Sequence, residues 1–161
     1  MVICASSESF VAELTARGRL IGLDVGTKTI GIAVSDESRL IATPQSTLKR
    51  IKFTQDAEIL CRLFDTEQAC GIVIGLPLHT TQGDYTAMAQ SVTQFARNLS
   101  RKTNLPILLW DERLSTQAAR RALEDSGTRA MHHKAKIDHI AAGFILQGVL
   151  DALKILTPDG K

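Results

Sequence analysis

Hydrophobic residues in the first part of the chain fall into short runs that alternate with turns. Runs rich in β-branched residues cover 19–25 and 29–35, and a third begins over 40–43. Gly26 and the polar stretch 36–38 separate these runs by only a few residues. Strands that are joined so briefly must be antiparallel neighbours. The pattern therefore predicts an antiparallel meander at the start of the fold.

The spacing changes after Lys52, where amphipathic helical patterns alternate with short, continuously apolar runs. Such apolar runs are typical of parallel strands that are buried on both faces. A meander followed by alternating helices and strands indicates an α/β fold with a mixed, five-stranded sheet, in the chain order βββ-α-β-α-β-α-α. The elements predicted after Lys52 are helices over 54–65, 85–101, 115–125 and 136–153, strands over 70–75 and 105–110, and a loop over 126–135.

The length of 161 residues predicts one domain. We interpret residues 1–18 as a weakly ordered N-terminal extension with a short helix near 10–14, and residues 19–161 as the domain itself.

Composition narrows the function only slightly. With 44% hydrophobic residues the chain can bury a core, and a net charge of +2 is too small to indicate a polyanionic partner by itself. The three cysteines and four histidines show no metal-ligand or disulfide spacing. No apolar run approaches the roughly 18 residues that span a bilayer, and no signal peptide is recognisable, so we expect a cytoplasmic protein without a membrane partner.

Carboxylates fall at two strand positions where a charge is costly to bury. Asp24 lies inside an apolar strand, where it needs a partner, although it could also serve the turn at Gly26. Asp111 and Glu112 follow the strand over 105–110, and ligands of open α/β sheets collect at such carboxyl ends. The alternative is that this acidic pair bonds to a neighbouring loop.

Asp138 lies in the first turn of the predicted last helix, on the same face as the apolar Ala141 and Ile145. Taken alone, it could simply complement the helix dipole. Together with Asp24 and the acidic pair, however, it forms a set of carboxylates that can converge on one point. Converging carboxylates require hard cations, and oxygen ligands favour Mg²⁺ or Mn²⁺. A two-ion site of this kind can cleave a phosphodiester.

Four sequence blocks resemble, in order and spacing, the YqgF/RuvX family, whose members are described as Holliday junction resolvases and as pre-16S rRNA processing nucleases. The resemblance covers about residues 19–153, and four ordered blocks are far more specific than one. The blocks are GLDVGTKTIGIAVSD (22–36), GIVIGLP (71–77), WDERLST (110–116) and IDHIAAGFILQ (137–147).

The resemblance implies an RNase H-like fold related to RuvC resolvases. It implies that Asp24 is the first metal ligand, that the pair Asp111–Glu112 provides the second ligand position and that Asp138 is the helix ligand, with Asp24, Glu112 and Asp138 catalytic. Alternation along a strand sends Asp111 and Glu112 to opposite faces, so only one should bind metal. Both faces of that strand are apolar, so parity does not decide between them, and the analogy favours Glu112.

The expected activity is hydrolysis of nucleic-acid phosphodiesters with a two-ion Mg²⁺ or Mn²⁺ site. The substrate is RNA, in the 5′ maturation of pre-16S rRNA, or else branched DNA, in the resolution of Holliday junctions. A homodimer is plausible for the second substrate, because a resolvase makes two symmetric cuts.

Basic residues near the predicted site are candidates for neutralising phosphates, although a basic loop can also be merely solvated. His132 and His133, in the basic loop before Asp138, add charge only when they are protonated. The candidates are Lys28, Arg113, Arg129, His132, His133, Lys134 and Lys136.

The chain departs from the family pattern at three places that concern substrate binding. Thr29 stands where a second basic residue is common, and the loop over 78–84 lacks the usual Asn-Met-Asp-Gly-like run. His132 and His133 replace Lys or Arg before Asp138.

Two other functions are compatible with parts of the sequence. The DxGTK turn also binds nucleotide phosphates in sugar kinases and actin-like ATPases, but those proteins need two related domains and this chain has one. A non-catalytic nucleic-acid-binding module with the same fold is the second alternative, although all its acidic positions are filled.

Overall fold

The computed structural model describes residues 3–77, 82–112 and 134–156, and within the helices that begin at 82 and 134 it describes side chains from 87 and 139 onward. A six-stranded sheet in the order β1-β6-β5-β2-β3-β4 forms the centre of the fold. Its strands are β1 Ile3–Cys4, β2 Arg19–Val25, β3 Thr29–Ser35, β4 Ala42–Lys49, β5 Ala69–Leu76 and β6 Ile107–Asp111.

The sheet is mixed, as predicted. β2, β3 and β4 form an antiparallel meander, whereas β5 pairs parallel to β2, and β6 parallel to β5. The third predicted strand begins at Ala42 and extends to Lys49, well beyond the run over 40–43 that predicted it. The predicted strand count of five is wrong, because β1 pairs parallel to β6 as a sixth strand.

Four helices pack on the sheet in the described part of the chain. The helix predicted over 115–125 lies outside the described residues, and so does most of the loop predicted over 126–135. That loop ends earlier than predicted, since its last two positions belong to the final helix. The helices are α1 Ser7–Glu13, α2 Phe53–Thr66, α3 Gln82–Ser100 and α4 Lys134–Leu156.

The segment before residue 19 is folded, so the expectation of weak order there is wrong. The Ser6 side chain caps α1 through a capping box with Ser9, which satisfies free N–H groups of the first turn. Phe10 is completely buried against the sheet, and Cys4 of β1 is 4% exposed. The short helix expected near 10–14 is present as α1, three residues earlier at its start, whereas the two-residue strand β1 is too short to leave a pattern in the sequence. The domain boundary at residue 18 stays a prediction.

Each face of the sheet has its own hydrophobic core. On one face, α2 and α3 cover Ile21, Leu23 and Ile74. On the other face, α4 and α1 cover Leu20 and Val73. The expectation that no apolar segment approaches membrane-spanning length is wrong, because from His139 to Leu156 α4 is long and apolar enough to cross a membrane by length and composition, with a mean hydropathy of 1.5. Its inner side chains are buried against the sheet, which accounts for this apolar sequence as that of a core helix.

The direction of α4 is fixed by two contacts with β4. The backbone N–H of Ala42, at the start of β4, donates to Oε1 of Gln147 at 2.8 Å. Near the end of β4, Thr47 Oγ1 lies 3.1 Å from Nδ1 of His139. The helix therefore runs antiparallel to β4 and to the parallel strands beside it. Its amino end lies at the edge where β2, β5 and β6 have their carboxyl ends.

Candidate functional site

Asp24 lies near the carboxyl end of β2 on the face that α4 covers. A side chain at Gly22, two residues earlier, would lie 2.8 Å from the β-carbon of Leu146 in α4. Because alternate strand residues share a face, Asp24 points to the same side as Gly22. Asp24 is half-buried, and it interacts with other groups of the protein.

Glu112 reaches the same face from the end of β6. β2 and β5 pair Leu23 with Ile74, so one residue further along Asp24 stands beside Gly75. A β-carbon at Gly75 would lie 2.8 Å from Oε1 of Glu112 and 2.6 Å from Cδ1 of Ile145 in α4. The Glu112 carboxylate therefore lies over Gly75, on the strand next to Asp24. A side chain at residue 75 would force Glu112 or Ile145 to move from this position.

Asp111 is separated from Glu112 by the pleat of β6. Leu109 packs into the core beneath α2 and α3, whereas Trp110 is buried in the core beneath α4. Alternation then sends Asp111 towards the α2 and α3 side. The side chain packed at residue 75 is thus Glu112, and Asp111 lies on the opposite face.

Position 138 lies near the amino end of α4, one helical turn before Ala142 and two turns before Ile145. Those two side chains are buried against the sheet. Since α4 begins at the carboxyl edge of the parallel strands, its backbone brings position 138 to the same edge and the same face as Asp24 and Glu112. The fold therefore places Asp24, Glu112 and the backbone of position 138 at one edge and on one face of the sheet.

The predicted basic residues are only partly described. Lys28 is exposed in the turn between β2 and β3, directly after the strand that carries Asp24. Lys134 and Lys136 lie in the first turn of α4. The remaining candidates, Arg113, Arg129, His132 and His133, lie outside the described residues.

Arg50 is a feature of the site that the sequence analysis missed. Its Nη1 donates to the carbonyl oxygen of Gly26 at 2.6 Å, and its backbone N–H donates to that of Lys28 at 2.9 Å. Its guanidinium stacks 5.3 Å from the ring centre of Phe95 and lies 3.9 Å from the buried carboxylate of Asp56. Arg50 thus holds the turn that follows Asp24. It stands in a polar stretch without periodicity, which gave no signal of this role.

The donor set fits a hard divalent cation. Asp24 on β2 and Glu112 at the end of β6 offer carboxylate oxygens on the two sides of β5, and the missing β-carbon at Gly75 leaves space on β5 between them. Oxygen ligands of this kind suit Mg²⁺ or Mn²⁺. Among the described side chains, which do not include that of Asp138, no three His, Cys, Asp or Glu residues form a group that could hold a metal.

Comparison with known sequences gives a consistent result. The chain matches the RuvX family, described as Holliday junction resolvase, over residues 18–152. A protein of Cereibacter sphaeroides strain KD131, named as a candidate pre-16S rRNA nuclease, is 51% identical over 153 residues, which cover 95% of each chain. A protein of the same name from Paracoccus denitrificans is 48% identical over 155 residues, covering 96% of this chain and 98% of its own.

Solved structures with a similar fold are resolvases of low sequence identity. RuvC of Thermus thermophilus, solved in complex with a Holliday junction substrate, aligns with a TM-score of 0.58 and 11% identity over 87% of this chain and 96% of its own. The yeast mitochondrial Holliday junction resolvase Ydc2 aligns with a TM-score of 0.51 and 14% identity over 88% of this chain and 81% of its own. At such identities the likeness shows the fold, which is the predicted RNase H-like fold.

Proposed function

Because the chain belongs to the RuvX family, we propose that it is a divalent-metal-dependent nuclease that hydrolyses RNA phosphodiesters in the 5′ maturation of pre-16S rRNA. The observation that supports this most is that Asp24 and Glu112 lie on one face of the sheet, on the two sides of Gly75, at the edge where α4 begins.

In this proposal, Asp24, Glu112 and Asp138 hold the metal ions, and Asp111, on the opposite face of β6, does not. Bound Mg²⁺ or Mn²⁺ would activate a water for attack on phosphorus and stabilise the leaving oxygen. The three carboxylates would hold the ions and balance their charge.

The rest of the site positions these acids. Asp24 and Glu112 are attached to neighbouring parts of a hydrogen-bonded sheet, which limits their movement. The hydrogen bond between His139 and Thr47 fixes the first turns of α4 to β4, one residue after Asp138. Arg50 fixes the turn that carries Lys28, whose ammonium would neutralise a phosphate beside the cleaved bond.

RNA is the preferred substrate because the relatives that are about half identical to this chain are named for pre-16S rRNA. A protein that acts on this precursor works in the cytoplasm. The second candidate function is resolution of four-way DNA junctions, which the description of the family favours. That function would require two symmetric cuts and hence a homodimer.

The test is cleavage of two labelled substrates, a pre-16S rRNA 5′ leader and a four-way DNA junction, in Mn²⁺ and in EDTA. We expect metal-dependent cleavage of the RNA that is lost in Asp24→Asn and in Asp138→Asn, both with unchanged circular dichroism. Cleavage of the junction alone would select the second function. Retained cleavage in Asp24→Asn would refute the metal site, and binding of both substrates without any cleavage would indicate a non-catalytic binding module.

A further inference from the structure

Lys49 lies on the same face of the sheet as Asp24, two strands away. The register places Asp24 opposite Gly31 and Gly31 opposite Thr47, so these three residues form one row across the sheet. Thr47 contacts His139 of α4, and Lys49, two residues further along β4, shares that face. Two strand spacings and two residue rises put the Cα atoms of Lys49 and Asp24 about 12 Å apart. Lys49, like the acidic site, thus lies at the end of the sheet where β2, β5 and β6 have their carboxyl ends.

Lys28 is held close to Lys49 by backbone contacts, and Lys52 follows Lys49 by three residues along the chain. Thr29, next to Lys28, pairs with Lys49, and the backbone N–H of Arg50 donates to the Lys28 carbonyl oxygen at 2.9 Å. Lys52 is the N-cap residue of α2, where its side chain makes no capping hydrogen bond. The connection between β4 and α2 is therefore fixed against the β2–β3 turn. Lys49 and Lys52 flank Arg50 in this connection, and Lys28 lies across from it in the turn.

The positive charge of these three lysines is not neutralised within the fold. All three side chains are exposed, and none has an ion-pair partner among the described residues. The buried carboxylate of Asp56 already accepts from the Ile51 N–H at 3.2 Å and faces Arg50. Arg50 itself is directed at the turn, so the lysines remain available for an external anion.

We propose that Lys28, Lys49 and Lys52 form a binding track for the phosphate backbone of the nucleic acid on the β4–α2 side of the acidic site. The inference rests on the proposed function, because it assigns the surface that binds the substrate backbone beside the cleaved bond. The chemistry that is recognised is the phosphodiester backbone, since ammonium groups contact phosphates without reading bases. This track is separate from the basic loop before α4, which the sequence analysis identified.

The experiment measures binding of a 5′-fluorescent pre-16S rRNA leader by anisotropy between 50 and 200 mM salt. The proteins are the wild type, the double variant Lys49→Gln/Lys52→Gln and the control Lys102→Gln. Lys102 is also an exposed lysine, but it lies before the amino end of β6, at the opposite edge of the sheet. Binding is measured in EDTA and, in an Asp24→Asn background, in Mg²⁺, so that the substrate stays intact.

Each lost phosphate contact lowers the slope of log affinity against log salt by about 0.7 for a single strand. For the double variant we therefore expect a slope smaller by about 1.4 and an affinity roughly 10-fold lower or more at physiological salt. Lys102→Gln should match the wild type in both quantities, and all three proteins should have the same Tm.

Unchanged slope and affinity in the double variant, with normal wild-type binding, would overturn the track and leave the nuclease proposal intact. Equal losses in the double variant and in Lys102→Gln would also overturn it, because they would indicate a general charge effect. A wild-type protein that binds neither the RNA nor a four-way DNA junction under either condition would refute the proposed function itself.

Discussion

The carboxylate of Glu112 occupies the space that a side chain at residue 75 would fill, since a β-carbon on Gly75 would lie 2.8 Å from its Oε1. The same β-carbon would lie 2.6 Å from Cδ1 of Ile145. A single glycine on the central strand β5 therefore lets an acid from β6 and a core residue of α4 approach the sheet together.

Gly75→Ala should displace Glu112 and thereby reduce catalysis more than stability. Gly71→Ala is the matched control, because residue 71 lies on the same strand and the same face as residue 75 but away from the acids. Its β-carbon would lie 2.7 Å from Cδ2 of Leu14. Overpacking should destabilise both variants by about 1–3 kcal/mol in urea unfolding. Cleavage per folded molecule should fall roughly 100-fold in Gly75→Ala only, because small displacements of a catalytic group are that costly. Similar activity in the two variants would contradict the placement of Glu112.

Glu112→Gln and Asp111→Asn should differ sharply, although the residues are adjacent. Glu112 lies over Gly75 on the face of Asp24, and Asp111 lies on the other face. Glu112→Gln removes the charge of the proposed metal ligand, so it should lower cleavage by roughly 100-fold or more and weaken Mn²⁺ binding in calorimetry. Asp111→Asn should keep both within a few-fold of the wild type. The reverse result would make Asp111 the ligand.

Arg50→Gln should destabilise the fold and loosen the turn after Asp24. The substitution removes the 2.6 Å hydrogen bond to the Gly26 carbonyl and the contact with the Phe95 ring, and it leaves buried Asp56 without its cation. We expect a loss of about 1–3 kcal/mol in the free energy of unfolding. Arg62→Gln, an exposed substitution on α2, should change it by less than about 0.5 kcal/mol. Equal stabilities would show that the Arg50 contacts do not hold the turn.

Two glycines in α4 should respond oppositely to alanine. At Gly148 a β-carbon would lie 3.4 Å from Nε1 of Trp110, an ordinary contact, whereas at Gly143 it would lie 2.9 Å from Cγ of Pro44 in β4. Gly148→Ala should stabilise by about 0.5–1 kcal/mol through helix propensity. Gly143→Ala should destabilise by about 1–3 kcal/mol, because it pushes α4 away from β4. Thermal unfolding of both variants gives the two signs directly.

Asp36 should make stability fall at acidic pH. Partial desolvation raises its pKa, but hydrogen bonds from the backbone N–H groups of Ile41 and Leu40 outweigh this, so the pKa lies below its ordinary value. The stabilisation is complete above the pKa of the unfolded chain and is lost as the pH falls through the lower pKa of the folded state, below about pH 4. The stability difference between wild type and Asp36→Asn should therefore shrink between pH 5 and pH 3, and a constant difference would exclude this role.

The sequence predicts those parts of the fold whose burial is periodic. β2, β3 and β5 are continuous apolar runs, and the amphipathic pattern predicted α2 to within one residue at each end. β4 was mostly missed because it is an edge strand whose residues are largely polar and exposed, with Pro44 among them. Its regular structure comes from the register with β3, which no local pattern encodes.

The candidate site shows the same division. Asp24 and Glu112 could be selected as acids in apolar surroundings, but the face of Glu112 could not be predicted from a strand that is apolar on both sides. Gly75, on the neighbouring strand, supplies that information in three dimensions. Arg50 was missed for a related reason, since its partners at Gly26 and Phe95 come from separate elements.

The order in which the chain is made has a consequence for when it can act. Asp24 is synthesised early, but the face on which it lies is covered by α4, the last helix of the described fold, which also carries position 138. β1 likewise waits for β6, more than a hundred residues later, before it can pair. A nascent chain that ends before α4 therefore lacks position 138, and only α1 covers that face of its sheet. Under the proposed function, the acidic site is therefore complete only once α4 has been synthesised and packed on the sheet.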